Sequence, residues 1–411
     1  MKKIHINGSR ALSGSISVSG SKNAALPIIF ACILTDGVSD ICNLPDIGDV
    51  RVALKILDNL GAVVTRLDNH TYIDTRTLTY SPPDPRLISK IRASTYLIGS
   101  CLVRFSRCEI MNFGGCNFSA RPIDMHLDAC RALGAEISDR LITAKGLVGA
   151  EISFKKKSVG ATVNAILLAS CAKGSTTIRG YAREPHIDSL IDFLLSCGAD
   201  ITRREESLVI NGRELHGGKC TVEGDIIEAG SYLAAGLITG GGVKVDNCPT
   251  EQMRSVFDAF KSLGAEVSYD SNSATAFIDG EGKYCYLKAT PYPGFPTDLQ
   301  PIFAPLMASF SGGEIIDTVW ESRFGYLNTL SAFKVNSSVC GNTAQIKKTH
   351  LIPASVSAPD LRGGMACLLS ALSASGQSEI YSAEIILRGY ENLIEKFSAL
   401  GADIKIEDAK T

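Results

Sequence analysis

Asn59-Leu60-Gly61-Ala62-Val63-Val64 reads as the end of a helix followed at once by a strand. Glycine just past the last helical turn takes the left-handed backbone that closes it. The same Leu-Gly-Ala or Cys-Gly-Ala signature recurs with its glycine at Gly61, Gly134, Gly198, Gly264 and Gly401. The separations are 73, 64, 66 and 137 residues, the last being two periods. The missing copy falls at 330–335, where the glycine has been lost, so a different cap is expected there.

A second periodic feature has the same spacing. Helices rich in small residues open at Ser21-Lys22-Asn23, Arg92-Ala93-Ser94, Ser158-Val159-Gly160, Glu228-Ala229-Gly230, Thr297-Asp298-Leu299 and Asp360-Leu361-Arg362. From Lys22 through Arg92, Gly160, Gly230, Asp298 and Arg362 the steps are 70, 68, 70, 68 and 64. Each unit thus holds two helices and several short strands, such as 175–178 and 243–245. This is an α/β chain of six pseudo-repeats. A stacked solenoid is disfavoured, because the unit is long and mixes both kinds of secondary structure.

At 411 residues the chain exceeds what one core supports, so two domains are expected. The boundaries read as 22–225 for the first domain, and 1–21 with 226–411 for the second. Forty-one basic and 43 acidic residues give a net charge of −2, which argues against a general nucleic-acid binder. The start, Met1-Lys2-Lys3, leads into no apolar segment, and the longest apolar run, 24–34, is too short for a bilayer and contains Pro27. No membrane association is expected. Thirteen dispersed cysteines without a Cys-x-x-Cys pair fit neither zinc ligation nor a disulfide framework. A reducing, cytoplasmic setting is expected, with no metal and no cofactor. Gly240-Gly241-Gly242 follows a helix and precedes a strand, the wrong order for a dinucleotide loop, and reads as a turn.

Polar residues gather at the beginnings of the repeated helices: Lys22, Asn23, Arg92, Ser158, Asp298 and Arg362. Helix N-termini carry unpaired N–H groups and partial positive charge, so they favour anions. Phosphorylated ligands are the implied class. The loop Gly114-Gly115-Cys116 to His126 adds a thiol with a guanidinium at Arg121, and positive charge favours thiolate. Its following helix is expected to begin near Pro122.

These residues carry a resemblance. Ser-Lys-Asn-Ala-Ala-Leu-Pro from Ser21, Ile-Arg-Ala-Ser from Ile91, Gly-Gly-Cys followed by Ala-Arg-Pro-Ile-Asp-Met-His, Ser-Val-Gly-Ala-Thr-Val from Ser158, Ala-Arg-Glu-Pro from Ala182, Phe-Pro-Thr-Asp-Leu-Gln from Phe295, Glu-Ser-Arg-Phe from Glu321, Asp-Leu-Arg from Asp360 and Arg-Gly-Tyr-Glu from Arg388 are motifs of this kind. The chain resembles the enolpyruvyl transferases over essentially its whole length. The resemblance implies an inside-out α/β barrel, two domains each of three βαββαβ repeats. It also implies phosphoenolpyruvate and UDP-N-acetylglucosamine as substrates, and a place at the start of peptidoglycan precursor synthesis, hence in cell-wall growth, shape and division.

By matching motif, Lys22, Arg121 and Arg388 would hold phosphoenolpyruvate. Cys116 would be the general acid, forming a covalent adduct and reacting with the epoxide fosfomycin. Asp298 would accept the hydroxyl proton and Asn23 would orient the sugar. Arg92, Arg121, Pro122, Ile123, Asp124, Met125, Lys156, Ser158, Val159 and Val319 would line the nucleotide-sugar site, with Arg323 and Arg362 closing it. Plainer readings stand beside these: a helix cap for Asp298, a solvated charge run for Lys155-Lys156-Lys157, a polar loop residue at His126, and structural packing for Arg323. The sequence departs from the family pattern at Phe113, Ser119, His186, Ile226, Ser322 and Leu387, and the fifth repeat has drifted over 325–344. Those departures leave room for a paralogue acting on another uridine nucleotide; a non-catalytic nucleotide-sugar binder would tolerate loss of Cys116 or Asp298, and both are kept. A sister enzyme acting on shikimate 3-phosphate fits least, since that branch lacks the cysteine loop.

Overall fold

Six helices among the described residues are nearly all apolar, and a helix without a polar face has to be covered on every side. They are Lys22–Ala31, Leu97–Phe105, Val159–Ala169, Ile226–Ile238, Gln300–Ser309 and Leu361–Ser373, and most of their residues are fully buried. Glycines let them pack closely on their neighbours, helix or strand. A Cβ on Gly99 would lie 2.9 Å from Asn164 Oδ1, and one on Gly236 would lie 3.1 Å from the Val243 side chain.

The computed structural model describes residues 2–114 and 122–408. They form two units, one of residues 2–19 and 224–408, the other of residues 20–114 and 122–223. Among the described residues the chain passes between them at Ser19–Gly20 and Glu223–Gly224. Each unit has its own apolar core, and three of the six buried helices belong to each. No helix among the described residues is long and apolar enough to cross a membrane.

Around the helices lie sheets of one plan. Lys219–Thr221 runs parallel to Val38–Cys42, which pairs antiparallel with His70–Asp74, which in turn pairs antiparallel with Val63–Leu67. Four further sheets repeat this order of one parallel and two antiparallel pairs. A sixth, from Arg107–Glu109, Leu141–Thr143 and Glu136–Ser138, has three strands among the described residues. Strands such as Gly242–Asp246 alternate exposed and buried side chains, as a sheet with one face on a core must. Helices inside and sheets outside make the inside-out α/β arrangement. The strand Lys2–Asn7 lies between Gln377–Tyr381 and Asp403–Asp408.

All six helix caps at the signature position share one hydrogen-bond pattern. Gly61 N–H bonds to Asp58 O at 2.9 Å and Ala62 N–H to Leu57 O at 3.0 Å; the copies at Gly134, Gly198, Gly264 and Gly401 repeat both bonds. These are the two bonds of the Schellman motif, which needs a left-handed residue at its centre. In the drifted fifth repeat Lys334 supplies it, with φ 65°, bonding to Ser331 O while Val335 N–H bonds to Leu330 O. The expected different cap is the same cap with a residue less suited to it.

Two boundaries differ from the sequence reading. The helix expected at Pro122 is Asp124–Ala132, with Ile123 at its cap position. An acidic residue thus sits in the first turn, where the helix dipole favours it. The helix read as opening at Glu228 begins at Ile226, because Asp225 Oδ1 accepts the N–H groups of Ile227 and Glu228. Glu228 is instead buried, 2.6 Å from Lys396 Nζ.

Candidate active site

In the unit of residues 20–223, Ser21 caps the helix Lys22–Ala31 by accepting the Ala24 N–H, placing Lys22 and Asn23 in its first turn. A cation there opposes the helix dipole. Asp49, in the first turn of Gly48–Asn59 and 4 % exposed, answers it with a carboxylate oxygen 3.7 Å from Lys22 Nζ. The turn Arg92–Tyr96 packs against the same helix and brings Arg92 with it.

Pro122, Ile123, Asp124 and Met125 lead into Asp124–Ala132, partly or fully exposed. That helix packs on Val159–Ala169. Ser158 caps the latter by accepting the Ala161 N–H at 3.3 Å, leaving Ser158 and Val159 half-exposed at its N-terminus. Lys156 is exposed beside it, while Lys157 Nζ donates to Tyr181 O at 3.0 Å, so the three lysines are not one uniform solvated run. The structure therefore gathers 122–125 and 158–159 around one helix–helix contact. Cys116 and Arg121 lie outside the described residues.

His126 is not a loop residue. It sits in the helix, 4 % exposed, with Nδ1 2.8 Å from Asn164 Nδ2. Burial and the Arg92 charge push its pKa down, Asp124 partly opposing, to about 4, so the ring is neutral at pH 7.

In the other unit the centre is Asp298. The helix Gln300–Ser309 begins after it, with Leu299 at the cap position and no side-chain cap, so Asp298 is not a capping residue. Its Oδ1 accepts from Arg323 at 2.8 Å and its Oδ2 from Arg362 at 3.2 and 3.0 Å. The two guanidiniums are almost buried, and the carboxylate is about a third exposed, at 29 %. Burial works against the Arg362 charge, but Asp298 and Tyr390 outweigh it and leave its pKa above the ordinary range. Arg362 sits in the first turn of Leu361–Ser373, capped by Asp360 through the N–H groups of Arg362 and Gly363.

Asp317 ties this region together. Its carboxylate accepts the Thr297 hydroxyl at 2.6 Å and the N–H groups of Val319 and Trp320 at 2.9 and 3.0 Å, at 1 % exposure. It thereby fixes both the residue before Asp298 and the segment carrying Val319. Ser322, with φ 67°, turns the chain so that Arg323 points inward. Arg388 ends the turn Ala383–Arg388 and is half-buried. Of the departures, Ile226 opens a helix after its Asp225 cap, His186 lies in the first turn of Pro185–Ser196, and Leu387 packs on the core. Asp49, Asn164 and Asp317 were missed in the sequence, since each lies 20 or more residues from its partner. Among the described residues no group of His, Cys, Asp and Glu is arranged to hold a metal ion.

The chain belongs to the EPSP synthase (3-phosphoshikimate 1-carboxyvinyltransferase) family, whose model matches residues 6–397. Within it, the chain is 39% identical over 412 residues to a UDP-N-acetylglucosamine 1-carboxyvinyltransferase of Halothermothrix orenii, covering 98% of this chain and 99% of that one. A Clostridium botulinum protein of the same name is 37% identical over 414 residues, again 98% and 99% of the two chains. Among solved structures, the enolpyruvyl transferase NikO from Streptomyces tendae superposes with a TM-score of 0.90 at 25% identity, covering 100% of this chain and 99% of that one. EPSP synthase from Acinetobacter baumannii gives 0.74 at 16% identity, covering 99% and 100%, a likeness of fold.

Proposed function

We propose that this chain transfers the enolpyruvyl group of phosphoenolpyruvate to the 3-hydroxyl of UDP-N-acetylglucosamine and releases phosphate. The observation that supports it most is full-length identity of 37–39% to proteins bearing that name, joined to an Asp298 carboxylate held by Arg323 and Arg362. A proton adds to the methylene carbon of phosphoenolpyruvate, the sugar oxygen bonds to the neighbouring carbon, and Asp298 takes the hydroxyl proton. Loss of a methyl proton and of phosphate then restores the double bond. Cys116 is the general acid, and Lys22, Arg121 and Arg388 hold the phosphate and carboxylate of phosphoenolpyruvate. Asn23 orients the sugar, and 122–125 with 156–159 hold the nucleotide. Arg92 and Val319 line the nucleotide-sugar site, which Arg323 and Arg362 close. No resident cofactor takes part, and the setting is the cytoplasm, in peptidoglycan precursor synthesis.

A carboxylate already receiving three N–H bonds is a poor proton acceptor. Asp298 becomes a base once a substrate anion draws Arg323 or Arg362 toward itself, so substrate binding switches it on. Phosphate release from phosphoenolpyruvate, with UDP-N-acetylglucosamine, UMP or shikimate 3-phosphate offered separately, tests the reading. UDP-N-acetylglucosamine is expected to be the preferred acceptor; a preference for UMP supports the paralogue, and binding without phosphate release supports the non-catalytic relative. Fosfomycin is expected to alkylate Cys116 ahead of the other twelve thiols, as peptide mapping would show.

A further inference from the structure

Asn164 lies in the middle of the buried helix Val159–Ala169, where an amide must find partners for every polar atom. Its Oδ1 accepts the Gly99 N–H at 2.7 Å, which fixes the amide's orientation. The Nδ2 side then faces Thr95 O at 3.1 Å, Gly160 O at 3.3 Å and His126 Nδ1 at 2.8 Å. Nδ2 can only donate, so His126 Nδ1 accepts and the ring proton is on Nε2. The opposite edge of the ring lies against the first turn of the same helix. A Cβ on Gly160 would come within 2.9 Å of His126 Cε1 and 3.1 Å of Nε2, so glycine is what lets the ring in.

We propose that His126 is a positioning residue for the nucleotide-sugar ligand. As a neutral imidazole seated between Asn164 and Gly160, it holds residues 122–125 in register with residues 158–159. The proposal rests on the functional reading above, which assigns those two stretches to the nucleotide. His126 acts through the helix contact and touches no reacting atom. Protonation would set an N–H against the Asn164 N–H and push the two helices apart. The charged groups acting on the ring are Arg92, from the turn Arg92–Tyr96, and Asp124, from its own helix; Arg92 resists that protonation and Asp124 favours it.

The test uses the full chain in two arms. Nitrogen NMR of the imidazole in the ligand-free protein reads the tautomer, which is expected to carry its proton on Nε2 at pH 7. Calorimetry and steady-state kinetics then compare the native chain with His126→Leu and His126→Asn. Asn can return an acceptor close to the Nδ1 position, whereas Leu fills the space without one. His126→Leu is expected to weaken UDP-N-acetylglucosamine about tenfold in Kd and KM, with kcat within about twofold and KM for phosphoenolpyruvate unchanged. His126→Asn is expected to recover most of the loss. Equal affinity in native and Leu proteins, equal loss in both variants, or a proton on Nδ1 overturns the proposal. Failure of the native chain to bind UDP-N-acetylglucosamine, with the expected tautomer present, overturns it through the functional reading instead, and the NMR arm tells the two failures apart.

Discussion

Two inner helices, one in each unit, open with charge at the same place in the repeat, yet they store it differently. Lys22 sits in the first turn of its helix, where the dipole repels it, and faces Asp49 across 3.7 Å. Asp298 stands just before its helix, where the dipole suits it, and takes three bonds of 2.8–3.2 Å from two nearly buried arginines. On the proposed function, the Lys22 cation meets the incoming phosphoenolpyruvate. The carboxylate, on the same reading, is held back until a ligand loosens it. On the proposed function the same repeat thus gives one group poised to bind and another kept in reserve.

The largest effect should fall on the reserved group. Asp298→Asn is expected to lower kcat by about 10²–10⁴-fold, because it removes the proton acceptor and keeps the shape. UDP-N-acetylglucosamine binding should remain measurable by calorimetry. Normal turnover would show that the arginine-held carboxylate is structural.

Next comes the poised group. Lys22→Ala is expected to raise KM for phosphoenolpyruvate about 10–100-fold, as loss of a charge-assisted contact does. Asp49→Asn, by contrast, should leave that KM unchanged or lower it. If both substitutions are equally damaging, the pair serves the fold and the comparison collapses.

A pH experiment sharpens the contrast with an uncharged device. His126 has a folded pKa of about 4 against an ordinary 6.5. The unfolded chain therefore binds the extra proton first, and stability present above pH 6.5 is lost as pH falls toward 4. The full difference is of order 3 kcal/mol. Denaturant midpoints of native and His126→Asn proteins between pH 7 and 4 would check it: the variant should show the shallower decline.

The smallest effect concerns the caps. Lys334→Gly relieves a left-handed φ of 65° and is expected to stabilise by about 0.5–1 kcal/mol. Gly401→Lys, at φ 95° with open space around its Cα, should destabilise by a similar amount. Thermal melts of the two variants would read both signs.

Legibility in the sequence divides in the same way, between local and distant. The caps at Gly61 and its copies, and the small-residue helices, are written in runs of a few residues, so periodicity exposes the repeats. The drifted copy at Lys334 kept its hydrogen bonds while losing its sequence signal. Family motifs marked the charged residues of the candidate site but not what holds them. Asp49, Asp317 and Asn164 are ordinary polar residues until the fold sets them beside Lys22, Thr297 and His126. His126 looked like loop for the same reason, since only packing buries it. Helix starts at Asp124 and Ile226 were misplaced by two residues because Pro122 and Glu228 are reasonable N-terminal residues too.

The placement of Lys2–Asn7 between Gln377–Tyr381 and Asp403–Asp408 has a consequence for biosynthesis. Residues 20–223 contain every strand and helix their unit needs, the last being Lys219–Thr221 paired with Val38–Cys42. That unit can fold while the ribosome is still translating residues 224–411. Lys2–Asn7, made before that unit, waits instead for partners at 377–381 and 403–408, which are made after it. Lys2 and Lys3, ahead of Ile4 and Ile6, put charge on that waiting strand, the kind of device that keeps a nascent strand from pairing with a neighbour.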